Sequence, residues 1–150
     1  MATIQLPPDF REFFRLLNAN QVEYLLIGGY AVGYHGYPRA TVDLDVWIAV
    51  SPENARRVLA ALGQFGFGGV TGASAELLTR PDHVIRMGVV PLRIEIQTGI
   101  SGVSFSECYA RRVIASLDDV PVSIISAEDL KRNKRAAGRH KDLADLDNLP

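Results

Sequence analysis

The order of apolar and polar positions divides this chain into short alternating elements. From Asp9 to Asn18, apolar residues recur at Phe10, Phe13, Phe14, Leu16 and Leu17, which is one face of a helix, and Pro7-Pro8 ahead of them suits a helix start. Leu25-Leu26-Ile27 is a continuous apolar run of strand length that ends in Gly28-Gly29, after which Tyr30-Ala31-Val32 opens a helix-compatible segment. Thr41 to Val50 is rich in β-branched and aromatic residues and predicts a strand more strongly than any other segment. Ser51-Pro52-Glu53 then offers a cap, a first-turn proline and an early acid, predicting a helix through Val58, Leu59 and Leu62 that stops near Gly63 to Gly66. Glycine-rich Gly66 to Ala75 reads as a loop placed to lie over the site described next. His83 to Val90 and Leu92 to Gln97 predict a hairpin around Pro91, and Val120 to Ile125 another strand. Ser126-Ala127-Glu128-Asp129 caps the first of two C-terminal helices, which break near Gly138.

Chemistry enters through the acids on these strands. Residues two apart on a strand share a face, so Asp43 and Asp45 point one way and Val42, Leu44 and Val46 the other. Half-buried carboxylates so placed repel each other unless a cation lies between them, and an oxygen-rich, thiol-free set favours Mg²⁺ or Mn²⁺. Glu95, between Ile94 and Ile96 on a later strand, supplies a third carboxylate if that strand lies beside the first. Gly28 and Gly29 complete the pattern, because glycine at a helix start lets phosphate oxygens approach main-chain N–H groups. The chain carries its own control: Asp145-Leu146-Asp147 has the same spacing in a helical segment, where the two side chains diverge by about 200°. That second pair reads as a solvated helix face. Two other phosphate motifs fail on the same glycines. Tyr34-His35 stand where a P-loop needs Lys and Ser or Thr, and Gly28-Gly29-Tyr30-Ala31 lacks the glycine spacing of a dinucleotide fingerprint.

From Gly28-Gly29-Tyr30-Ala31-Val32 through His35-Gly36-Tyr37-Pro38-Arg39-Ala40-Thr41-Val42-Asp43-Leu44-Asp45, the chain resembles the signature of the DNA polymerase β-like nucleotidyltransferase superfamily. It is most similar to the small bacterial branch of minimal nucleotidyltransferases and abortive-infection type toxins. Lys134, Arg139, Lys141-Asp142-Leu143 and Asp145-Leu146 resemble the helical pattern that follows the catalytic core in those proteins. The resemblance implies an α+β fold, a mixed sheet packed against helices, with a core over about residues 20–126 and C-terminal helices over about 127–148. It implies a nucleotide side formed by Gly28, Gly29, Arg39 and Lys134, and catalytic, metal-holding Asp43, Asp45 and Glu95. Two departures stand out: Gly29 replaces the serine that many members carry, and the third acid is Glu95 where Asp is frequent.

Composition narrows the setting. The 150 residues, 47% of them hydrophobic, suffice for one domain with a core that needs no staples, and one cysteine, Cys108, excludes an internal disulfide framework. Cys108 reads as a packing residue. No segment has the apolar length of a membrane span, and the start lacks a signal-peptide pattern, so a soluble cytoplasmic protein is expected. A basic cluster, Lys131, Arg132, Lys134, Arg135, Arg139, His140 and Lys141, contrasts with a net charge of −1. Lys131, Arg135 and Arg139 share a face if the helix continues through Gly138. His35, His83 and His140 form no zinc pattern, and His35 is placed to border the nucleotide pocket.

The expected activity is transfer of a nucleoside monophosphate from a nucleoside triphosphate to an acceptor hydroxyl on RNA, protein or a small molecule, releasing pyrophosphate. A cognate protein of toxin–antitoxin type is the expected partner. The competing expectation is an inactive binding module of the same fold that acts as antitoxin or partner subunit. An aminoglycoside acceptor is disfavoured by the basic C-terminal helices.

Overall fold

The computed structural model describes residues 5–66, 74–88 and 93–150. Helix α1 (Pro8–Ala19) starts with proline in its first turn and buries Phe10, Phe13, Phe14, Leu16 and Leu17, the face that the periodicity marks out. Strand β1 (Tyr24–Ile27) is buried throughout and runs directly into α2 (Gly28–Tyr34). Both glycines thus lie inside the first helical turn rather than ahead of it. Strand β2 (Asp43–Ile48) is shorter than the apolar run that contains it, because Thr41, Val42, Ala49 and Val50 fall outside the ladder. Helix α3 (Pro52–Phe65) is capped by the Ser51 hydroxyl, which accepts from the Asn54 N–H at 3.0 Å, and ends at Gly66 with a φ of 95°. Gly63 lies within it. The glycine-rich segment that follows is largely outside the described residues, as is Pro91, where a turn is expected.

Short α4 (Ala75–Leu78) leads to β3 (Val84–Met87), which pairs antiparallel with β4 (Arg93–Gln97), the two arms of the expected hairpin. Helix α5 (Phe105–Ala110) precedes a second hairpin, β5 (Val113–Leu117) and β6 (Val120–Ile124). Asp118 and Asp119 form its two-residue turn with φ of 49° and 65°, the left-handed pair such a tight turn requires and that Asp tolerates. Helices α6 (Ala127–Ala137) and α7 (His140–Asn148) follow. Ser126 caps α6, and Gly138 ends it with a φ of 65°. The helix therefore does not continue through Gly138, and Lys131, Arg135 and Arg139 do not share one face.

Among the described residues six strands form one mixed sheet in the order β3-β4-β2-β1-β6-β5, with β1–β2, β3–β4 and β5–β6 antiparallel and β2–β4 and β1–β6 parallel. This is the expected α+β architecture. Leu44, Val46 and Ile48 of β2 join Ile94 and Ile96 of β4 in the core with Phe13, Phe14, Val58 and Leu62 of α1 and α3. On the opposite face Trp47 is buried edge-on against Phe105, with ring centroids 5.1 Å apart. Buried Asn54 ties α3 to the sheet: its amide accepts from the Glu23 N–H at 2.8 Å and donates to the Glu23 and Ala49 carbonyls at 3.1 and 2.9 Å. Every polar atom of that side chain is matched, as burial demands. Among the described residues no helix is long and apolar enough to cross a membrane.

Candidate active site

Strand register gathers the acids. Parallel pairing of β2 with β4 sets Asp43 opposite Arg93 and Asp45 opposite Glu95, while antiparallel pairing of β3 with β4 sets Arg86 opposite Glu95. Directly opposed residues share a face with Cβ atoms about 5 Å apart, so the three strands present one tile of alternating charge. Arg93 donates to both oxygens of Asp43, at 2.8 Å from Nε and 3.0 Å from Nη2. Arg86 donates from Nε to Glu95 Oε1 at 2.9 Å. Among the described residues Asp45 has no guanidinium partner. Burial, then the charge of Glu95 and a hydrogen bond with it, then the charge of Asp43, push the Asp45 carboxyl up to about 7, against the opposing pull of Lys141.

The glycine pair is explained first by packing. A Cβ on Gly28, whose φ is 70°, would lie 2.1 Å from Asp45 Oδ2, and one on Gly29 would lie 2.5 Å from Thr41 Oγ1. Only glycine lets the start of α2 approach the acid strand this closely. The same closeness puts the backbone of positions 28 and 29 on the wall of the cleft that holds the acids.

Arg39 and Lys134 meet at a residue the sequence reading had left in solvent. Asp145 is 2% exposed; it accepts from Arg39 Nε and Nη2 at 2.8 and 2.9 Å and pairs with Lys134 Nζ at 3.0 Å. Asp147 is exposed. The expected divergence of the two side chains therefore holds, but the solvated-face reading is correct only for Asp147: α7 packs on α6 with Asp145 turned inward. Lys134 is itself buried and also reaches Asp142 Oδ1 at 3.3 Å, while Asp142 accepts from the Arg139 N–H at 3.2 Å and from Arg139 Nε at 2.8 Å. Burial alone would raise both carboxyls. Hydrogen bonds from Arg39 and Lys134 to Asp145, and from Arg139 and Lys134 to Asp142, more than offset it and hold both below the usual carboxylate value.

These groups surround an open cleft of about 1060 Å³, enough for a nucleotide together with a second reactant. Gly28 and Gly29 line one wall, Arg86, Arg93 and Glu95 another, and Lys134, Arg139, Lys141 and Asp145 of the C-terminal helices a third. His35, the C-cap residue of α2, is not among its lining residues; its Nε2 lies 2.7 Å from the Ile125 carbonyl oxygen. Arg86 and Arg93 were given no role from the sequence, Lys141 was read only as a member of the basic cluster and of the C-terminal helical pattern, and Asp145 was read as part of a solvated helix face; only the strict alternation Arg93-Ile94-Glu95 could have placed one of the arginines on the face of the acids. Cys108 is buried, and burial pushes its thiol up to about 11, consistent with packing.

The donor set of Asp43, Asp45 and Glu95 is all oxygen, which suits a hard divalent cation. The crowding that pushes the Asp45 carboxyl up to about 7 is a condition that a divalent cation would relieve. As the side chains stand, however, no three His, Cys, Asp or Glu residues among those described converge to hold a metal ion, since Asp43 and Glu95 are turned to their arginines. The residues fit such a cation in kind and in strand position, with Arg93 on both oxygens of Asp43 and Arg86 on Oε1 of Glu95.

The chain superposes on the solved structure of a "putative nucleotidyltransferase" from Thermotoga maritima with a TM-score of 0.62 over 92% of this chain and 88% of that one, at 13% identity. This chain has the nucleotidyltransferase fold. At that identity the likeness concerns the fold alone, and the nucleotidyltransferase fold here carries its acids on β2 and β4. No protein-family model matches the chain. No curated protein matches it in sequence either.

Proposed function

We propose that this protein is a metal-dependent nucleotidyltransferase. The observation that carries the reading is the register of β2 and β4, which brings Asp43, Asp45 and Glu95 to one face of a cleft lined by six cationic side chains. Asp43, Asp45 and Glu95 would hold Mg²⁺ or Mn²⁺, which when bound neutralises phosphate charge and eases ionisation of the attacking hydroxyl. Gly28 and Gly29 would present backbone N–H groups to the β- and γ-phosphates, and Arg39 and Lys134, held in place by Asp145, would add positive charge to the same cleft. The acceptor oxygen forms its bond to the α-phosphorus, the bond from that phosphorus to the bridging oxygen breaks, and pyrophosphate leaves. The hydroxyl proton passes to Glu95.

The acceptor is a hydroxyl on RNA, protein or a small molecule, since specificity would be set by the loops around a common core. A cytoplasmic setting and a cognate protein of toxin–antitoxin type belong to this reading. The second reading, an inactive binding module, is favoured by one observation: arginines occupy two of the three acids. Incubating the protein with triphosphates labelled at the α- or the γ-phosphate, together with total RNA and cell lysate, separates the two. Transfer of α-label alone, lost on chelation, is the expected result; no transfer from any triphosphate, or transfer of γ-label, overturns the first reading.

A further inference from the structure

Salt bridges on a sheet surface are usually interchangeable, yet the two beside this acid cluster are fixed by strand register. Arg93 is the cross-strand neighbour of Asp43 and Arg86 that of Glu95, and Arg93 engages its carboxylate through two parallel N–H donors. Both arginines sit on the side of β2 away from β1 and the glycine pair, and both line the cleft. The Arg86 side chain is 67% exposed and that of Arg93 36%, so either can swing into the cleft without opening the core. Glu95 and Asp43 are more enclosed, at 14% and 26%, and are the fixed members of each pair.

We propose that Arg93 and Arg86 are the built-in counter-cations of the acid cluster, and that a divalent ion loads the site by exchanging with their guanidinium groups. This rests on the nucleotidyltransferase reading and says how its metal site is controlled. With three carboxylates on one small face, the cation-free protein needs compensation, and two guanidiniums supply most of it. A divalent ion that displaces them regains little net attraction, so the free protein binds it weakly. The arginines thereby set a threshold for loading, and the displaced guanidiniums stand on the open side of the cleft.

The test is direct titration of Mn²⁺, followed by the loss of its free-ion paramagnetic resonance signal, on the full chain and on Arg93→Gln, Arg86→Gln and Asp45→Asn. Each pair is partly exposed, and removing a half-exposed competing cation is expected to tighten Mn²⁺ binding about 3- to 10-fold. Arg86→Gln guards against a folding artefact, because its side chain is mostly in solvent. Glutamine keeps hydrogen bonding but not charge, and Arg93→Lys and Arg86→Lys, which keep the charge, should bind Mn²⁺ as weakly as the parent chain. Unchanged or weaker Mn²⁺ binding in both glutamine variants, with binding still dependent on Asp45, overturns the exchange and leaves the proposed function standing. Mn²⁺ binding that is absent from every variant, or indifferent to Asp45→Asn, overturns both.

Discussion

Replacing Asp45 by Asn should stabilise this protein, and by an amount that grows with pH. In the folded chain the carboxyl is pushed up to about 7 by burial and by Glu95 and Asp43, against 3.8 for an ordinary aspartate. Near pH 3 both folded and unfolded chains carry the proton, so the site contributes nothing. Between about pH 4 and 7 the unfolded chain has released a proton that the folded chain retains, and stability falls as pH rises through this window. Above it the loss is complete and constant. The gap of about three pH units, at about 1.4 kcal/mol each, sets an upper bound of about 4 kcal/mol. Asp45 lines an open cleft, so screening reduces the expected figure to about 2–3 kcal/mol. For a chain of this length that is a rise in Tm of about 5–10 °C at pH 8. Urea unfolding of the parent and Asp45→Asn chains in a chelator, from pH 4 to pH 8, measures it. A gain already full at pH 4, or Asp45→Asn no more stable than the parent at pH 8, would refute the crowding of these acids.

Other consequences can be checked in the same way. Gly28→Ala should cost about 2–4 kcal/mol by urea unfolding, since the added carbon meets Asp45 and the backbone is left-handed there, whereas Gly63→Ala, in open space within α3, should be neutral or stabilising. Asp145→Asn leaves buried Lys134 with one carboxylate and Arg39 with none; a loss of about 3 kcal/mol in unfolding free energy, with a raised KM for the triphosphate, is expected. Asp142 and Asp145 lie below the usual carboxylate value when folded, so the stability they contribute is present above pH 4 and is lost as pH falls through their folded values; amide exchange in α6 and α7 should accelerate on acidification before exchange in β1 does.

What the sequence disclosed and what it hid divide along physical lines. Strand β2 and helices α1 and α3 were legible because their signals are local: an apolar period, a proline at the first turn, a serine cap, a terminal glycine. Asp43, Asp45 and Glu95 could be found because alternation assigns a face before any partner is known. Their arginine partners could not, because Arg93 meets Asp43 through a register between strands far apart in sequence, and Arg86 meets Glu95 through a hairpin register that alternation alone does not fix. Asp145 misled for the converse reason. Helical spacing separates it from Asp147 but does not say which of the two faces a neighbour, and the packing of α7 on α6 decides that. Strand β5 and helices α4 and α5 escaped notice as elements of four to six residues, too short for a period to emerge.

The account stands or falls on whether the acids of β2 and β4 bind a cation and a nucleotide together. Thermal unfolding of the parent and Asp45→Asn chains with Mg²⁺, with ATP, GTP, CTP or UTP, and with both tests this most directly. The account predicts a gain in Tm well beyond the sum of the separate additions for at least one triphosphate with the parent chain, and none with Asp45→Asn. Equal gains in both chains, or no joint gain with any triphosphate, would contradict it.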